Sequence, residues 1–410
     1  MNNTKECRIC GNKQLETILD LGEQMLTGVF PKEPNARVTS GSLQLVKCYG
    51  DHDACGLVQL GRSYDLDAMY GTNYGYRSGL NPSMVNHLRS QVERILRTVG
   101  LKPGDMVLDI GSNDSTTLQQ YALSGLELVG IDPTGVKFRK FYPSHIRLVA
   151  DFFSADLFRR NFPDKKAKVI TSFSMFYDLE RPLQFMKEVY EILADDGIWT
   201  FEQSYLPTML QKNSYDTVCH EHLEYYALRQ IKWMTDLVGF TISDVQLNDV
   251  NGGSFCVTVV KASSGAKQAD IVNFILAREQ SHNINMLYVY HDFANRVRAS
   301  KRQMQNFLEQ AKASNKKVAA LGASTKGNVI LQYCNLTDSE ITAIGEVNAE
   351  KFGCYTPGSS IPIVPEDEVL RMAPDYLVVL PWHFKKFFVG NKKFANHALV
   401  FPLPVLEISQ

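Results

Sequence analysis

The chain has 410 residues, 44 % of them apolar and 21 % charged, with 43 basic and 44 acidic side chains and a formal net charge of −1. At about 150 residues per domain, two or three domains are expected and a single small binding module is excluded. The composition also excludes a disordered, collagen-like or coiled-coil chain. Near-zero charge leaves no overall footprint for nucleic acid or an anionic membrane, and no apolar run reaches the roughly 18 residues that span a bilayer. The opening Met-Asn-Asn-Thr-Lys-Glu lacks the apolar core of a secretion signal, so a cytoplasmic protein with no nucleic-acid or membrane partner is expected.

Residues 1–75 form a cysteine module. Cys7 and Cys10 make a Cys-x-x-Cys knuckle and Cys48 and Cys55 a second, wider pair, each followed by a glycine (Gly11, Gly56) that lets the backbone turn tightly. Four thiolates are the closed tetrahedral set of a structural zinc site, which leaves no open position for catalysis. Four unrelated reduced thiols are the alternative, and His52 could replace one thiolate.

A helix is expected over Pro82–Gly100, where Met84, Val85, Leu88, Val92, Ile95, Leu96 and Val99 recur at helical spacing. From Asp105 the pattern alternates strand, glycine turn, helix around Thr117 to Ser124, and strand. Further strands are read near 167–173, 197–203 and 254–261. This alternation predicts a parallel sheet with covering helices over 76–262. Residues 263–315 read as one long helix or two, and a smaller α/β unit occupies 316–410, with strand candidates at 341–347 and 376–380. The fold class expected is α/β, with a central Rossmann-like domain between a zinc-binding module and a second, smaller Rossmann-like domain.

The first glycine turn, Asp109-Ile110-Gly111-Ser112-Asn113-Asp114, is not the G-x-G-x-x-G of dinucleotide sites. Acids at the strand end and inside the turn would repel a pyrophosphate but suit a cation and a ribose. S-adenosylmethionine has a sulfonium, an amino group and a ribose, and no phosphate. Asp132, at the next strand end, is placed for the ribose hydroxyls, and Asp151 and Phe152 for the adenine.

His220 and His222 lie within three residues in Cys219-His220-Glu221-His222-Leu223-Glu224-Tyr225-Tyr226, two of the nine histidines of the chain. Imidazole beside a carboxylate suits proton transfer near neutral pH. The spacing is not H-E-x-x-H, so a metalloprotease helix is excluded. The second glycine turn, Gly322-Ala323-Ser324-Thr325-Lys326-Gly327-Asn328, offers a helix start, two hydroxyls and a lysine for a diphosphate. It is not a Walker A loop, which disfavours ATP hydrolysis.

These segments, taken in order with Tyr74-Gly75-Tyr76-Arg77-Ser78-Gly79, resemble the nucleotide-sugar C-3 methyltransferases of deoxysugar biosynthesis, and the likeness covers essentially the whole chain. The resemblance implies a zinc domain, a class I methyltransferase domain and a C-terminal α/β domain that helps hold a dTDP-linked 4-keto sugar, in an enzyme expected to be a monomer. It implies that His222 removes the C-3 proton with Glu221 assisting. It adds Tyr76, Ser78, Asp109, Gly111, Asn113, Asp114, Asp132, Asp151, Phe152 and Ser172 as the S-adenosylmethionine set. Asp178, Cys219, Tyr225, Ser324, Lys326 and Asn328 become the substrate set, and whether His220 shares the base role stays open. There are departures: Cys219 stands where some relatives have a tyrosine, Asp178 where relatives can carry a histidine, and Ser115 replaces a glycine. Methylation of oxygen or nitrogen on a small metabolite, and a zinc-containing nucleic-acid binder, are the alternatives.

Overall fold

The computed structural model describes residues 2–50, 54–64 and 75–409, so His52 and Tyr74 lie outside the described residues. Its centre is a seven-stranded sheet in the spatial order Phe240–Asn248, Ser254–Lys261, Leu193–Ser204, Ala167–Phe173, Met106–Ile110, Glu127–Ile131, Ile146–Val149. The last five run parallel to one another, and Ser254–Lys261 is antiparallel to both its neighbours. The apolar run Met-Val-Leu-Asp-Ile is buried throughout, as a central parallel strand covered on both faces must be. Strand order reverses beside Met106–Ile110, which opens a crevice at the carboxyl ends of the strands.

Where a helix over Thr117 to Ser124 was expected, only a 3-10 turn, Leu118–Gln120, forms. Asn113 and Ser115 take left-handed backbone angles (φ 48° and 64°). Side chains there bond nearby backbone, Asp114 accepting the Thr116 N–H and Gln119 and Gln120 donating to the Asp114 and Thr116 carbonyls, in competition with helix hydrogen bonds. The connection after residue 262 is two helices, Asp270–Ser281 and Leu287–Ala313, separated by a turn in which Asn283 has φ 53°.

The C-terminal unit is a six-stranded sheet ordered Ile363–Pro365, Ile344–Glu346, Val318–Leu321, Tyr376–Val379, Ala398–Phe401, Glu407–Ser409, parallel except for the last strand. The N-terminal module contributes three strands, Leu15–Met25, Ser40–Cys48 and Val58–Leu60, to a four-stranded antiparallel sheet. Its fourth strand, Glu224–Tyr225, comes from the histidine segment. Leu43, Leu45 and Leu60 of the module share one buried core with Val329, Ile330 and Leu377 of the C-terminal unit. Cys7, Cys48 and Leu57 share another with Phe176, Tyr226 and Ile231 of the central domain. The module is thus packed against both α/β units. Among the described residues no helix is long and apolar enough to cross a membrane.

Candidate active site

The crevice is a cavity of about 460 Å³ lined by the central domain and the C-terminal unit. At the central sheet, Gly111 leaves the strand with φ 76°, and a Cβ there would lie 3.0 Å from Met175 Cγ, so glycine serves both the turn and the close approach. Asp132 Oδ2 accepts the Asn113 N–H at 2.7 Å, and its Oδ1 accepts the Thr134 N–H and hydroxyl, each at 2.6 Å. Asp109 Oδ1 accepts the Thr171 hydroxyl at 2.6 Å. Burial pushes both carboxyls up, Asp109 to about 7, against the lowering effect of Thr171 and with help from the nearby Asp132 charge. Two buried carboxyls lining a cavity make this end receptive to a cation, whose charge would offset the cost of their ionisation.

The same turn holds a segment over the cavity. Asn113 Oδ1 accepts the Ser78 N–H at 3.0 Å and its amide donates to the Tyr76 carbonyl at 3.2 Å. Asp114 Oδ2 accepts the Gly79 N–H at 3.0 Å and lies 3.6 Å from Arg77 Nε. Asp114 therefore supports the segment and does not line the cavity, whereas Tyr76 and Ser78 do. Phe152 lines it too. Asp151 is exposed and accepts the Phe152 N–H, and Ser172 is buried behind the wall, accepting the Trp199 indole N–H at 2.7 Å.

In the histidine segment, the Leu223 N–H donates to the Tyr177 carbonyl at 2.8 Å and the ring of His222 meets Tyr177 edge-on at 4.4 Å. His222 Nδ1 lies 2.9 Å from the Thr217 carbonyl. A carbonyl only accepts, so Nδ1 carries the proton and Nε2 keeps the lone pair. Burial, then the positive charge of Lys326, pushes His222 down to about 3, with the Thr217 carbonyl opposing. The ring is therefore neutral at pH 7. Burial raises the Glu221 carboxyl, which also lines the cavity. His220 turns the other way: its Nε2 lies 3.4 Å from the Gly41 carbonyl and its ring meets Tyr64 at 4.8 Å, inside the N-terminal sheet. Cys219 and Tyr225 are buried outside the lining, the Tyr225 hydroxyl donating to the Thr217 carbonyl at 3.3 Å. Asp178 lines the cavity.

On the C-terminal side, Gly322 has φ 82° and lies against Pro381, where a Cβ would come within 2.7 Å. Ser324 caps the helix Thr325–Tyr333 by accepting the Gly327 N–H at 3.0 Å. Lys326 donates to the Asn251 carbonyl at 2.7 Å; burial lowers its pKa, while Asp216 and Cys219 hold it up. Asp216 in turn accepts the Trp382 indole N–H at 2.8 Å. Ser324 and Lys326 line the cavity; Asn328 does not, and donates instead to the Thr27 carbonyl at 2.7 Å.

Thr325, whose hydroxyl the second glycine turn offered, lines the cavity, and sequence reading missed Thr117, Thr134, Asn251 and His383, which line it too. His383 had a findable signal, since it follows Tyr376–Val379, a parallel strand whose carboxyl end faces the crevice as the other site strands do. Burial, then Lys326, pushes it down to about 3.

The four cysteines of the module converge. Cys7 and Cys55 sulfurs lie 3.4 Å apart, Cys10 and Cys48 sulfurs 3.6 Å, and all four lie within 4.8 Å of one another. Zinc–sulfur bonds of about 2.3 Å in a tetrahedron place sulfurs about 3.8 Å apart, so the set fits zinc. Gly11 and Gly56 turn with φ 73° and 75°. Arg8, inside the knuckle, lies 3.6 Å from Glu224 and donates to the Leu60 carbonyl at 2.9 Å.

Three family models match the chain in order: a zinc binding domain over residues 7–70, a methyltransferase domain over 84–245 and a C-methyltransferase C-terminal domain over 249–404. The last match includes the strand Ser254–Lys261, which nonetheless pairs inside the central sheet. C-methyltransferase NovU from Streptomyces niveus is 28 % identical over 406 residues, 98 % of this chain and 96 % of that one. Among solved structures, a chain from the complex of the Haloferax volcanii Trm112 methyltransferase activator with a methyltransferase aligns with 45 % of this chain and 94 % of its own. Its identity is 13 % and its TM-score 0.37. The plantazolicin methyltransferase BpumL, solved with a triazolic desmethylPZN analog and SAH, aligns with 48 % of this chain and 92 % of its own, at 13 % identity and TM-score 0.36. The chain is an S-adenosylmethionine-dependent C-methyltransferase in which a zinc-binding domain, a methyltransferase domain and a C-methyltransferase C-terminal domain follow one another.

Proposed function

We propose that the enzyme adds a methyl group to C-3 of a dTDP-linked 4-keto deoxysugar, acting as a cytoplasmic monomer. The observation that carries this reading is one cavity lined by the acidic turn Asp109–Asn113, by His222 with Glu221, and by Lys326 with Ser324. S-adenosylmethionine, when bound, supplies an electrophilic methyl group. Asp109, Asn113 and Asp132, with Tyr76, Ser78 and Phe152, would hold it.

Carbon has no lone pair to offer, so a C-methyltransferase needs a base. The ketone at C-4 acidifies the C-3 proton, and His222 accepts it at Nε2 while the bonding pair becomes an enolate. The Nδ1–H goes on donating to the Thr217 carbonyl, which fixes the ring and keeps Nε2 as the acceptor. Glu221 orients the acceptor hydroxyl or the ring, and Lys326, whose positive charge acts on His222, offsets the negative charge of the bound sugar nucleotide. Asp178 adds a polar contact to the sugar. Because Ser324 already caps its helix by accepting the Gly327 N–H, its free contribution is the hydroxyl proton.

The test is a panel of dTDP-4-keto sugars incubated with ¹³C-methyl-labelled S-adenosylmethionine. NMR is expected to find the label on a quaternary C-3. Label on oxygen or nitrogen, or no turnover with any 4-keto sugar while another acceptor is methylated, contradicts the proposal.

A further inference from the structure

The loop after the strand Leu15–Met25 leaves the N-terminal sheet and runs to the second glycine turn. Met25 and Gln332 exchange hydrogen bonds at 2.8 and 3.1 Å, and Asn328 donates to the Thr27 carbonyl at 2.7 Å. These anchors bring Gly28 against the reacting end of the cavity. A Cβ on Gly28 would stand 2.3 Å from Glu221 Oε1, 3.5 Å from its carboxyl carbon and 3.6 Å from the Thr325 hydroxyl oxygen. The backbone of Gly28 is outside the left-handed region that favours glycine, unlike Gly22 at φ 79° in the same module. Its glycine identity is thus not required by the turn. What it answers is the carboxyl of Glu221, which is buried and lines the cavity.

We infer that Gly28 is a positioning residue for Glu221, so that the zinc-binding module shapes the reaction site itself as well as stabilising the chain. The inference rests on the proposed role of Glu221. Any side chain at position 28 displaces the Glu221 carboxyl from its present place on the cavity wall. The backbone at 28 accommodates alanine, so the change is confined to that carboxyl.

The experiment compares Gly28→Ala, Glu221→Gln and the double variant with the unaltered full-length enzyme, all zinc-loaded. Zinc content, thermal midpoint and affinity for S-adenosylhomocysteine are expected to match across the set. Gly28→Ala is expected to lower methyl transfer to the dTDP-4-keto sugar at least tenfold in the native background and less than twofold in the Glu221→Gln background, because the two changes strike one group. A crystal structure of Gly28→Ala is expected to show the Glu221 carboxyl displaced by more than about 1 Å. That displacement decides the inference independently of the substrate: if no 4-keto sugar is turned over, the proposed function fails and the crystal structure still decides the role of Gly28. An unmoved carboxyl, or an equal loss in both backgrounds, overturns it.

Discussion

The two glycine turns that meet at the cavity are built alike and charged oppositely. Each leaves a buried parallel strand through a left-handed glycine, Gly111 at φ 76° and Gly322 at φ 82°. The first ends on Asp109 and is backed by Asp132, two carboxyls raised by burial; the second ends on Lys326, an ammonium lowered by burial. Neither charge is cheap in a buried site, and each becomes favourable when a ligand of the opposite sign arrives. On the proposed reading the difference assigns the ligand ends, a sulfonium to the acidic turn and an anionic sugar nucleotide to the basic one, with His222 as base between them.

The comparison is broken most severely at its midpoint. His222→Ala is expected to cut methyl transfer by about 10²- to 10⁴-fold, with S-adenosylhomocysteine affinity unchanged by isothermal calorimetry. A parallel loss of donor affinity would place His222 on the donor side. Next in size, Lys326→Ala removes the cation of the second glycine turn and is expected to cost about 1.5–3 kcal/mol of acceptor binding. Titration with dTDP should weaken while titration with S-adenosylhomocysteine should not. Asp132→Asn is the mirror experiment. It is expected to weaken S-adenosylhomocysteine by about 1 kcal/mol, the typical worth of one hydrogen bond, and to spare dTDP; weakening of both equally would erase the distinction between the turns.

The smallest effect sharpens the electrostatics. Because the folded value of His222 is pushed to about 3, below the ordinary 6.5, its neutral form contributes stability that is fully present above pH 6.5. That contribution is lost as the pH falls from 6.5 toward 3, since the unfolded chain binds the proton first. In the ligand-free enzyme the His222 ring NMR shifts should stay constant from pH 8 to pH 5, and Lys326→Ala should move the titration upward. A midpoint near 6.5 in the native enzyme contradicts burial as the cause.

Much of this was legible locally. Ala167–Phe173 and Ser254–Lys261 were read from their apolar and β-branched runs, and the strands form there. Both glycine turns declared themselves by composition, and so did the cysteine pairs, because the neighbours that matter are a few residues apart. The segment Thr117 to Ser124 forms only a 3-10 turn, because Gln119 and Gln120 donate to the Asp114 and Thr116 carbonyls in place of helix hydrogen bonds. Asn328 and Asp114 carry the right residue types but are spent on holding Thr27 and Gly79. Asn251 reaches the cavity, and Gly28 the Glu221 carboxyl, only through contacts between distant parts of the chain, and no local pattern encodes those.

The central claim is that His222 forms a carbanion equivalent at C-3 beside a separate methyl donor. The most direct measurement incubates a C-3-deuterated dTDP-4-keto sugar with the enzyme in water and S-adenosylhomocysteine in place of the methyl donor, followed by NMR. Deuterium should wash out of C-3 with the native enzyme and be retained with His222→Ala. Washout that is equally fast in both, or absent in the native enzyme while methyl transfer to C-3 proceeds, would contradict it.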